Sequence, residues 1–340
     1  MLLSIIIPVF NEISYLKRFS NRLFQSFENY EVEYIFINDG SDDGSDEWLS
    51  NIITYNKEQN IKYISYRKNK GKGHALREGL KKSIGNFILF QDSDLELDTN
   101  DSKEMFEIIK KNKDMKVIFG TRFFSGKLKR HNKLIYLLAG KLNSFIFNIF
   151  YAQSISDVHC GTKIITKEVK DKINLKINDF GFEIDIASQI VKNDFQIYEY
   201  GISYVARTRE QGKKITWVDG IKSIYYLIKT RFIDNEFSVF ISIIFASFYM
   251  SFIGSYFSLG IGKIIVIVIL FVIGCFIGLH NKLLPSAIIL IFSYFGSLFS
   301  SGNGKIITVA LAFFIGIFLS KKIKSLLDYN SRNRFIKFFV

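Results

Sequence analysis

The sequence predicts an α/β domain followed by an all-α segment that crosses a membrane with about four helices. Two patterns support this prediction. Short apolar runs alternate with segments of helical periodicity over residues 2–121, which is typical of a parallel sheet with helices on both faces. Residues 237–320 are almost free of charge, although the 340-residue protein has a formal net charge of +13. One part of the chain therefore suits water and the other suits a bilayer.

The strands are predicted from short runs that are rich in β-branched and aromatic residues. None of these runs alternates polar with apolar residues, as a strand with one wet face would, so we expect both faces of the sheet to be covered. The segments between them carry apolar residues at helical spacing. We expect strands at 2–10, 34–39, 61–66, 86–92 and 116–121, and helices at 13–27, 45–57, 73–84 and 100–112.

A polar motif follows each of the first four predicted strands. In a sheet of this type, ligands bind beyond the carboxyl ends of the strands, so the four motifs are expected to line one crevice. They read PVFNE (8–12), NDGSDDGS (38–45), RKNKGKGHA (67–75) and QDSDLE (91–96).

The fourth motif places Asp92, Asp94 and Glu96 close together. Like charges at this spacing repel each other unless a cation lies among them. Carboxylate oxygens are suitable ligands for Mg²⁺ or Mn²⁺, which also keep positions for water and substrate phosphates. A solvated acidic turn is the alternative interpretation.

Two other motifs offer groups that could bind a nucleotide. The loop Gly71-Lys72-Gly73 offers backbone N–H groups and one cation to a phosphate, although an ordinary turn before a helix has the same residues. The carboxylate of Asp39 could accept a hydrogen bond from a nucleobase or ribose, or it could cap the next helix. Both alternatives stay open at this point.

In their order and spacing, these motifs resemble the inverting glycosyltransferases of family 2, which have the GT-A fold. Later segments are similar to the branch that contains dolichol-phosphate mannose and glucose synthases: GTRF (120–123), SDVHCGTK (156–163), FGFEIDI (180–186) and ARTREQGKKITWVDG (206–220). The resemblance extends from residue 2 to about residue 232. It implies transfer of one sugar, with inversion, from a UDP-glucose-like or GDP-mannose-like donor to a polyprenyl phosphate.

The resemblance also implies roles for individual residues. The nucleotide would be held by Pro8, Asn11, Glu12 and Asp39, with Gly71, Lys72 and Gly73 close to it. Asp92, Asp94 and Glu96 would bind Mg²⁺ or Mn²⁺, and Arg207 and Lys214 would contact the donor diphosphate. The acceptor phosphate would meet Arg122, Arg130 and Lys133, and the catalytic residues would be Asp94, Arg122 and Asp157.

The role of Asp157 leaves alternatives open, and two residues, Asn38 and Glu96, depart from the family pattern. Asp157 could orient the acceptor or act as a base, or it could simply cap the following element. Asn38 stands where the family more often has Asp, and Glu96 stands where Gln is common. An acceptor phosphate is already anionic near neutral pH, so the expected reaction needs no strong base.

The predicted membrane helices are uncharged runs separated by Lys263, Lys282 and Lys305. The first and third runs are long enough to span a bilayer. The second and fourth are shorter than the roughly 20 residues that a spanning helix needs, but flanking lysines can reach the interface. Buried helices of a soluble domain are the alternative. The runs are 237–262, 264–281, 283–304 and 306–320.

Basic residues flank the apolar region on both sides, which favours a cytoplasmic catalytic domain and two cytoplasmic termini. We expect an integral protein of a bacterial inner membrane. The positive charge is interpreted as attraction to anionic lipid rather than to nucleic acid. A homo-oligomer stays possible. The predicted domains are 1–214 (catalytic), 215–235 (amphipathic juxtamembrane helix), 236–320 (transmembrane) and 321–340 (basic tail).

Three alternatives complete the predictions. The juxtamembrane helix, which contains Trp217, could instead pack on the sheet. The whole chain could be a processive polysaccharide synthase of the same superfamily, but it has no Q-x-x-R-W sequence. It could also be a catalytically inactive membrane scaffold, although both aspartates of the acidic motif, Lys72 and Lys214 are present.

Overall fold

A computed structural model describes residues 1–124, 126–130, 134–208, 210–214 and 217–233. The chain divides into two compact units, Met1–Leu227 and Ile228–Val340. The predicted membrane helices, the basic tail and Lys133 lie outside the described residues. The domain boundaries proposed from the sequence stay predictions.

Strands and helices alternate up to Thr121, and their order is less regular after it. The strands are β1 (Leu3–Val9), β2 (Val32–Asp39), β3 (Asn60–Tyr66), β4 (Phe87–Phe90), β5 (Val117–Thr121), β6 (Lys129–Arg130), β7 (Lys163–Thr166), β8 (Tyr198–Gly201) and β9 (Tyr204–Val205). The helices are α1 (Ile13–Ser26), α2 (Ser45–Tyr55), α3 (Lys72–Lys82), α4 (Thr99–Lys111), α5 (Leu134–Tyr151), α6 (Lys167–Lys172), α7 (Phe182–Lys192) and α8 (Trp217–Ile228), which a π-helical turn, Lys229–Ile233, follows.

The main sheet has seven strands in the order β3-β2-β1-β4-β7-β5-β8. The five strands and four helices predicted over residues 2–121 are confirmed within a few residues. The five predicted strands run parallel to one another, as expected. The complete sheet is mixed, because β7, which was not predicted, is inserted between β4 and β5 and runs antiparallel to both. The sequence of β7, KIIT, has only two apolar residues, Ile164 and Ile165, and does not form a continuous apolar run like those of the predicted strands.

The core consists of two apolar layers, one on each face of the sheet. Successive side chains of a strand point to opposite faces, and β1 follows this rule. Its residues Ile5 and Ile7 pack with α1 and α4, whereas Ile6 packs with α3 and α7. Burial on both faces is the reason that the strands show continuous apolar runs.

Helix α5 was not singled out in the sequence, and it leaves a row of apolar side chains exposed. Among the described residues it is the one helix that is long and apolar enough to cross a membrane. Core helices of soluble proteins pass the same test of length and composition. Its exposed side chains include Leu134, Ile135, Leu138, Leu142 and Phe145.

Helix α8 lies within the segment predicted to be juxtamembrane. One face packs on the rest of the first unit, since Leu227 is fully buried and the Tyr226 hydroxyl donates to Asp179 Oδ2 at 2.8 Å. This packing agrees with the alternative interpretation of the segment. Ile224 and Tyr225 are exposed on α8, and the interfacial role stays a prediction.

Candidate active site

The four polar motifs meet at the carboxyl edge of the sheet, as the sequence predicted. The amide of Asn11 donates to Asp42 Oδ1 at 2.8 Å and its oxygen accepts from the Asp42 N–H at 2.9 Å, which joins the first motif to the second. The Ser93 hydroxyl donates to the Pro8 carbonyl at 3.0 Å, which joins the fourth motif to the first. Asn11 has φ 51, a left-handed conformation that asparagine tolerates better than most residues.

Asp39 organises the glycine loop. Its two carboxylate oxygens accept the N–H groups of Lys70 and Gly71 at 2.9 and 2.8 Å, and the side chain is almost fully buried. The idea that Asp39 caps the next helix is wrong, because Asp43 closes the turn before α2 by accepting the Ser45 N–H. Its contact with a nucleotide stays a prediction.

The two loop glycines allow another backbone segment to approach closely. A Cβ atom on Gly71 would lie 2.4 Å from the Asn178 carbonyl oxygen, and one on Gly73 would lie 2.4 Å from the Ile177 carbonyl oxygen. Gly71 also has φ +101, a backbone angle that residues other than glycine rarely adopt. The backbone N–H of His74 donates to the Asn178 carbonyl oxygen at 2.9 Å. The glycines therefore have a packing role in addition to any contact with phosphate.

Each carboxylate of the acidic motif lies beside a basic side chain. Lys72 Nζ lies 2.8 Å from Asp92 Oδ1, and Arg207 Nη2 lies 3.0 Å from Asp94 Oδ2. Lys213 Nζ lies 3.5 Å from Glu96 Oε1, and the same oxygen accepts the backbone N–H of Arg207 at 2.9 Å. The solvated acidic turn expected as an alternative does not describe these partly buried ion pairs.

Negative charge nevertheless exceeds what these bases neutralise. Burial, followed by the charges of Glu96 and Asp92, raises the pKa of Asp94 to about 7, although Arg207 opposes the shift. Such a group is stabilised in its ionised form by a divalent cation. The described residues contain no group of three His, Cys, Asp or Glu side chains placed to bind one ion. Mg²⁺ commonly uses only one or two protein carboxylates together with substrate phosphates, so Asp92 and Asp94 fit this ion.

Glu12 connects the first motif to the basic segment after β9. Its buried carboxylate lies 2.7 Å from Arg207 Nη1 and 2.8 Å from Lys214 Nζ. Lys214 also donates to the carbonyl of Phe10. The structure thus brings together the two basic residues that were predicted to contact the donor diphosphate.

A second ion pair joins Arg122 to Asp157. Arg122 Nε lies 2.7 Å from Asp157 Oδ2, its Nη2 lies 2.8 Å from Oδ1, and its backbone N–H also donates to Oδ2 at 3.1 Å. Burial alone would raise the pKa of the Asp157 carboxyl, but the charge and hydrogen bonds of Arg122 outweigh it and lower that pKa. Both carboxylate oxygens are engaged, which favours a positioning role over proton abstraction.

Arg130 lies on the short strand β6. This strand pairs with β9, and the Arg130 carbonyl accepts the Ala206 N–H at 2.9 Å, directly before Arg207. The side chain of Arg130 is exposed. Its contact with an acceptor phosphate stays a prediction, as does that of Lys133.

No role was predicted for Glu183, and the structure places it next to Lys72. Glu183 Oε1 lies 2.9 Å from Lys72 Nζ. The signal in the sequence was an acidic pair on an otherwise apolar helix, and its other member, Asp185, accepts the N–H groups of Lys176 and Ile177. The nearby Gly181 packs against the ring of Tyr226.

The unusual Asn38 is explained by its neighbour Asp46. The Asn38 amide donates to Asp46 Oδ1 at 2.6 Å, and its oxygen accepts the Ser41 N–H at 3.1 Å. An aspartate at position 38 would place a second carboxylate against Asp46. Asparagine can satisfy both contacts because it offers a donor and an acceptor.

Comparisons with known proteins agree with this architecture. A dolichyl-phosphate beta-glucosyltransferase from Dictyostelium discoideum is 25% identical over 245 residues, which cover 68% of this chain and 74% of that protein. A poly-beta-1,6-N-acetyl-D-glucosamine synthase from Staphylococcus epidermidis is 28% identical over 176 residues, which cover 47% of this chain and 42% of that protein.

A likeness to solved structures establishes the fold. Glucosyl-3-phosphoglycerate synthase from Mycobacterium tuberculosis superposes with a TM-score of 0.52 at 14% sequence identity, and the match covers 68% of this chain and 80% of that chain. The family profile described as "Glycosyl transferase family 2" matches residues 4–173, half of the sequence. The chain therefore belongs to glycosyltransferase family 2.

Proposed function

We propose that this protein transfers a single sugar from a nucleotide diphosphate sugar to a polyprenyl phosphate, with inversion at the anomeric carbon. The observation that supports this best is the presence of two separate basic groups. One surrounds the acidic motif and consists of Lys72, Arg207 and Lys214; the other is Arg122, held by Asp157. A reaction between a diphosphate donor and a phosphate acceptor needs such an arrangement. The similarity to a dolichyl-phosphate beta-glucosyltransferase supports the same acceptor class.

The donor would lie along the carboxyl edge of the sheet. Asp92 and Asp94 would hold Mg²⁺ or Mn²⁺, with Glu96 close by; when bound, this ion supplies positive charge to the donor diphosphate. The related fold of glucosyl-3-phosphoglycerate synthase has been solved in complex with UDP and either Mn²⁺ or Mg²⁺. Arg207 and Lys214 would stabilise the charge that develops on the leaving diphosphate.

The acceptor phosphate would be its own nucleophile. Its oxygen is anionic near pH 7, so no side chain has to remove a proton from it. Arg122 offers a planar pair of N–H donors that suits a phosphate, and Asp157 fixes its orientation. In this mechanism Arg122 is the catalytic residue and Asp157 is a positioning residue. Positioning and charge neutralisation would supply most of the rate enhancement.

The lipid acceptor requires contact with a bilayer. The uncharged runs of residues 237–320 would anchor the chain, and the basic residues beside them would favour a cytoplasmic catalytic domain at a bacterial inner membrane. The product would be a lipid-linked monosaccharide. Such a lipid can serve a later step of cell-envelope glycan assembly or protein glycosylation.

The proposal is tested by incubating the purified full-length protein with a panel of nucleotide sugars, Mg²⁺ or Mn²⁺, and undecaprenyl phosphate. We expect a glycosylated lipid with one of the donors, and its loss on addition of a chelator or in Asp94→Ala. Transfer that persists under both conditions would reject the metal assignment. The absence of glycosylated lipid with every donor would reject the proposed function.

A processive polysaccharide synthase is the second candidate. The similarity to poly-beta-1,6-N-acetyl-D-glucosamine synthase favours it, but that match covers 47% of this chain. The two candidates differ in the number of sugars that join one acceptor. Long glycan chains that form without a polyprenyl phosphate would support the synthase.

A further inference from the structure

Lys72 would compete with a metal ion for the carboxylate of Asp92, to which it is already paired. Its ammonium lies 2.8 Å from Asp92 Oδ1 and 2.9 Å from Glu183 Oε1. The three side chains are 17%, 24% and 6% exposed, so water screens their charges only in part. A divalent cation and an ammonium on the same carboxylate repel each other strongly in such surroundings. One of the two partners of this ion pair must therefore move when the ion binds.

One side of the Asp92 carboxylate is blocked by another backbone segment. Its Oδ2 packs directly against the backbone of Gly161, where an added Cβ atom would lie 2.1 Å from that oxygen. Lys72, in contrast, has a flexible side chain and a second acidic partner. The movement consequently falls to the lysine.

Glu183 can pair with the ammonium of Lys72 without help from Asp92. Its Oε1 already binds the ammonium, and its buried Oε2 has no hydrogen-bond partner among the residues that the structure describes. Buried carboxylate oxygens are normally satisfied, so this one has unused capacity for an ammonium donor. A small rotation of Lys72 toward Glu183 would release Asp92 without leaving the lysine unpaired.

We propose that Glu183 is a positioning residue that receives Lys72 from Asp92 when a divalent ion binds. This inference rests on the proposed function and adds to it a control on the metal site. Lys72 then stays charged beside the donor diphosphate but no longer competes for the metal ligand. Without Glu183, the lysine pairs with Asp92 alone and opposes the ion.

A similar arrangement recurs on the other aspartate of the motif. Arg207 bridges Asp94, through Nη2 at 3.0 Å, to Glu12, through Nη1 at 2.7 Å. Each aspartate of the acidic motif thus shares its basic partner with a glutamate from another element. The recurrence indicates that a basic side chain shared between an aspartate and a glutamate is a general property of the site rather than an isolated contact.

The test is a double-mutant cycle on metal affinity. Mn²⁺ binding to the full-length protein without donor is measured by electron paramagnetic resonance for wild type, Lys72→Met, Glu183→Gln and the double variant. We expect Glu183→Gln to weaken binding at least about tenfold, and Lys72→Met to strengthen it, because each charge acts over a few ångströms. In the Lys72→Met background, Glu183→Gln should weaken binding by no more than about threefold.

Equal effects of Glu183→Gln in both backgrounds would overturn the inference, because Glu183 would then act only through its general field. Glu78→Gln is the matched control: it removes one carboxylate charge from α3, where Glu78 pairs with Lys81, and it should leave Mn²⁺ affinity unchanged. Thermal unfolding of every variant identifies loss of the fold. If Lys72→Met does not fold, Lys72→Gln replaces it in the cycle.

The cycle is independent of sugar transfer, so the two proposals can fail separately. Additive effects on Mn²⁺ affinity in a protein that makes the glycosylated lipid would reject the role of Glu183 alone. Coupled effects in a protein that makes no glycosylated lipid would reject the proposed function. The absence of Mn²⁺ binding by all four proteins would also reject the role of Glu183.

Discussion

Replacement of Asp157 by asparagine should destabilise the sheet around β5 and β7 and displace Arg122. Asp157 is fully buried and accepts three hydrogen bonds from Arg122. Removal of one partner of a buried ion pair costs about 3–5 kcal/mol. Because the Arg122 side chain keeps 20% of its surface exposed, water can solvate part of the remaining charge. We therefore expect the lower end of this range, about 3 kcal/mol.

Hydrogen exchange of the full-length protein provides the assay, with the opening free energy read from the amides of β5 and β7. Glu168→Gln is the control, since Glu168 forms exposed ion pairs that contribute about 0–1 kcal/mol. The double variant Asp157→Asn/Arg122→Met should recover part of the loss, because no unpaired charge remains. A loss below about 1 kcal/mol in Asp157→Asn would refute the argument.

The same ion pair predicts a dependence on pH. Arg122 lowers the pKa of Asp157 in the folded protein, against the opposing effect of burial. A depressed folded pKa adds stability above the unfolded value, about 3.9, and this contribution is lost as the pH falls through the folded pKa. The stability difference between wild type and Asp157→Asn should thus be constant from about pH 8 to 5 and shrink below about pH 4. A difference that grows on acidification would contradict this sign.

Three further predictions concern the supports of the site. Asn38→Asp should destabilise the protein by about 1 kcal/mol through repulsion from Asp46, and adding Asp46→Asn should reverse the loss in thermal unfolding. Gly73→Ala should cost about 1–3 kcal/mol, because its methyl group meets a backbone carbonyl oxygen 2.4 Å away; an unchanged unfolding midpoint would contradict the packing role. Tyr226→Phe should cost about 1 kcal/mol by removing the hydrogen bond to Asp179, and hydrogen exchange in α8 measures it.

The first half of the unit Met1–Leu227 could be predicted from its sequence because each of its strands is a continuous apolar run. Ile5, Ile6 and Ile7 show how one such run serves two core layers at once. The polar motifs then lie at known strand ends, so their meeting follows from topology. Strand β7 was not predicted, because its only apolar residues are Ile164 and Ile165, and its antiparallel insertion depends on contacts between distant segments.

The candidate site was only partly predictable for a related reason. Residue types and motifs identified Asp92, Asp94 and Lys72 as candidate site residues, but they did not identify the side chains with which these residues form ion pairs. Glu183 is 111 residues away from Lys72 along the chain, and no local pattern connects the two. Likewise, the sequence alone did not show that Asp157 pairs with Arg122, the contact that favours a positioning role over that of a base. Such assignments require three-dimensional distances.

The exposed apolar side chains of α5 show the same limit in another way. Only the structure shows whether the apolar side chains of this helix are buried or exposed, because apolar residues at helical spacing also occur in buried helices. In the structure, Leu138 and Phe145 remain more than half exposed. Composition alone could not distinguish a buried apolar helix from one with an exposed apolar face.

The central claim is that one sugar passes to one polyprenyl phosphate at the acidic motif. The intact mass of the lipid recovered after a reaction with undecaprenyl phosphate and the preferred nucleotide sugar tests this most directly. We predict that the lipid gains the mass of a single sugar, in wild type but not in Arg122→Gln. A lipid that gains several sugars, or one that is glycosylated equally well by Arg122→Gln, would contradict the account.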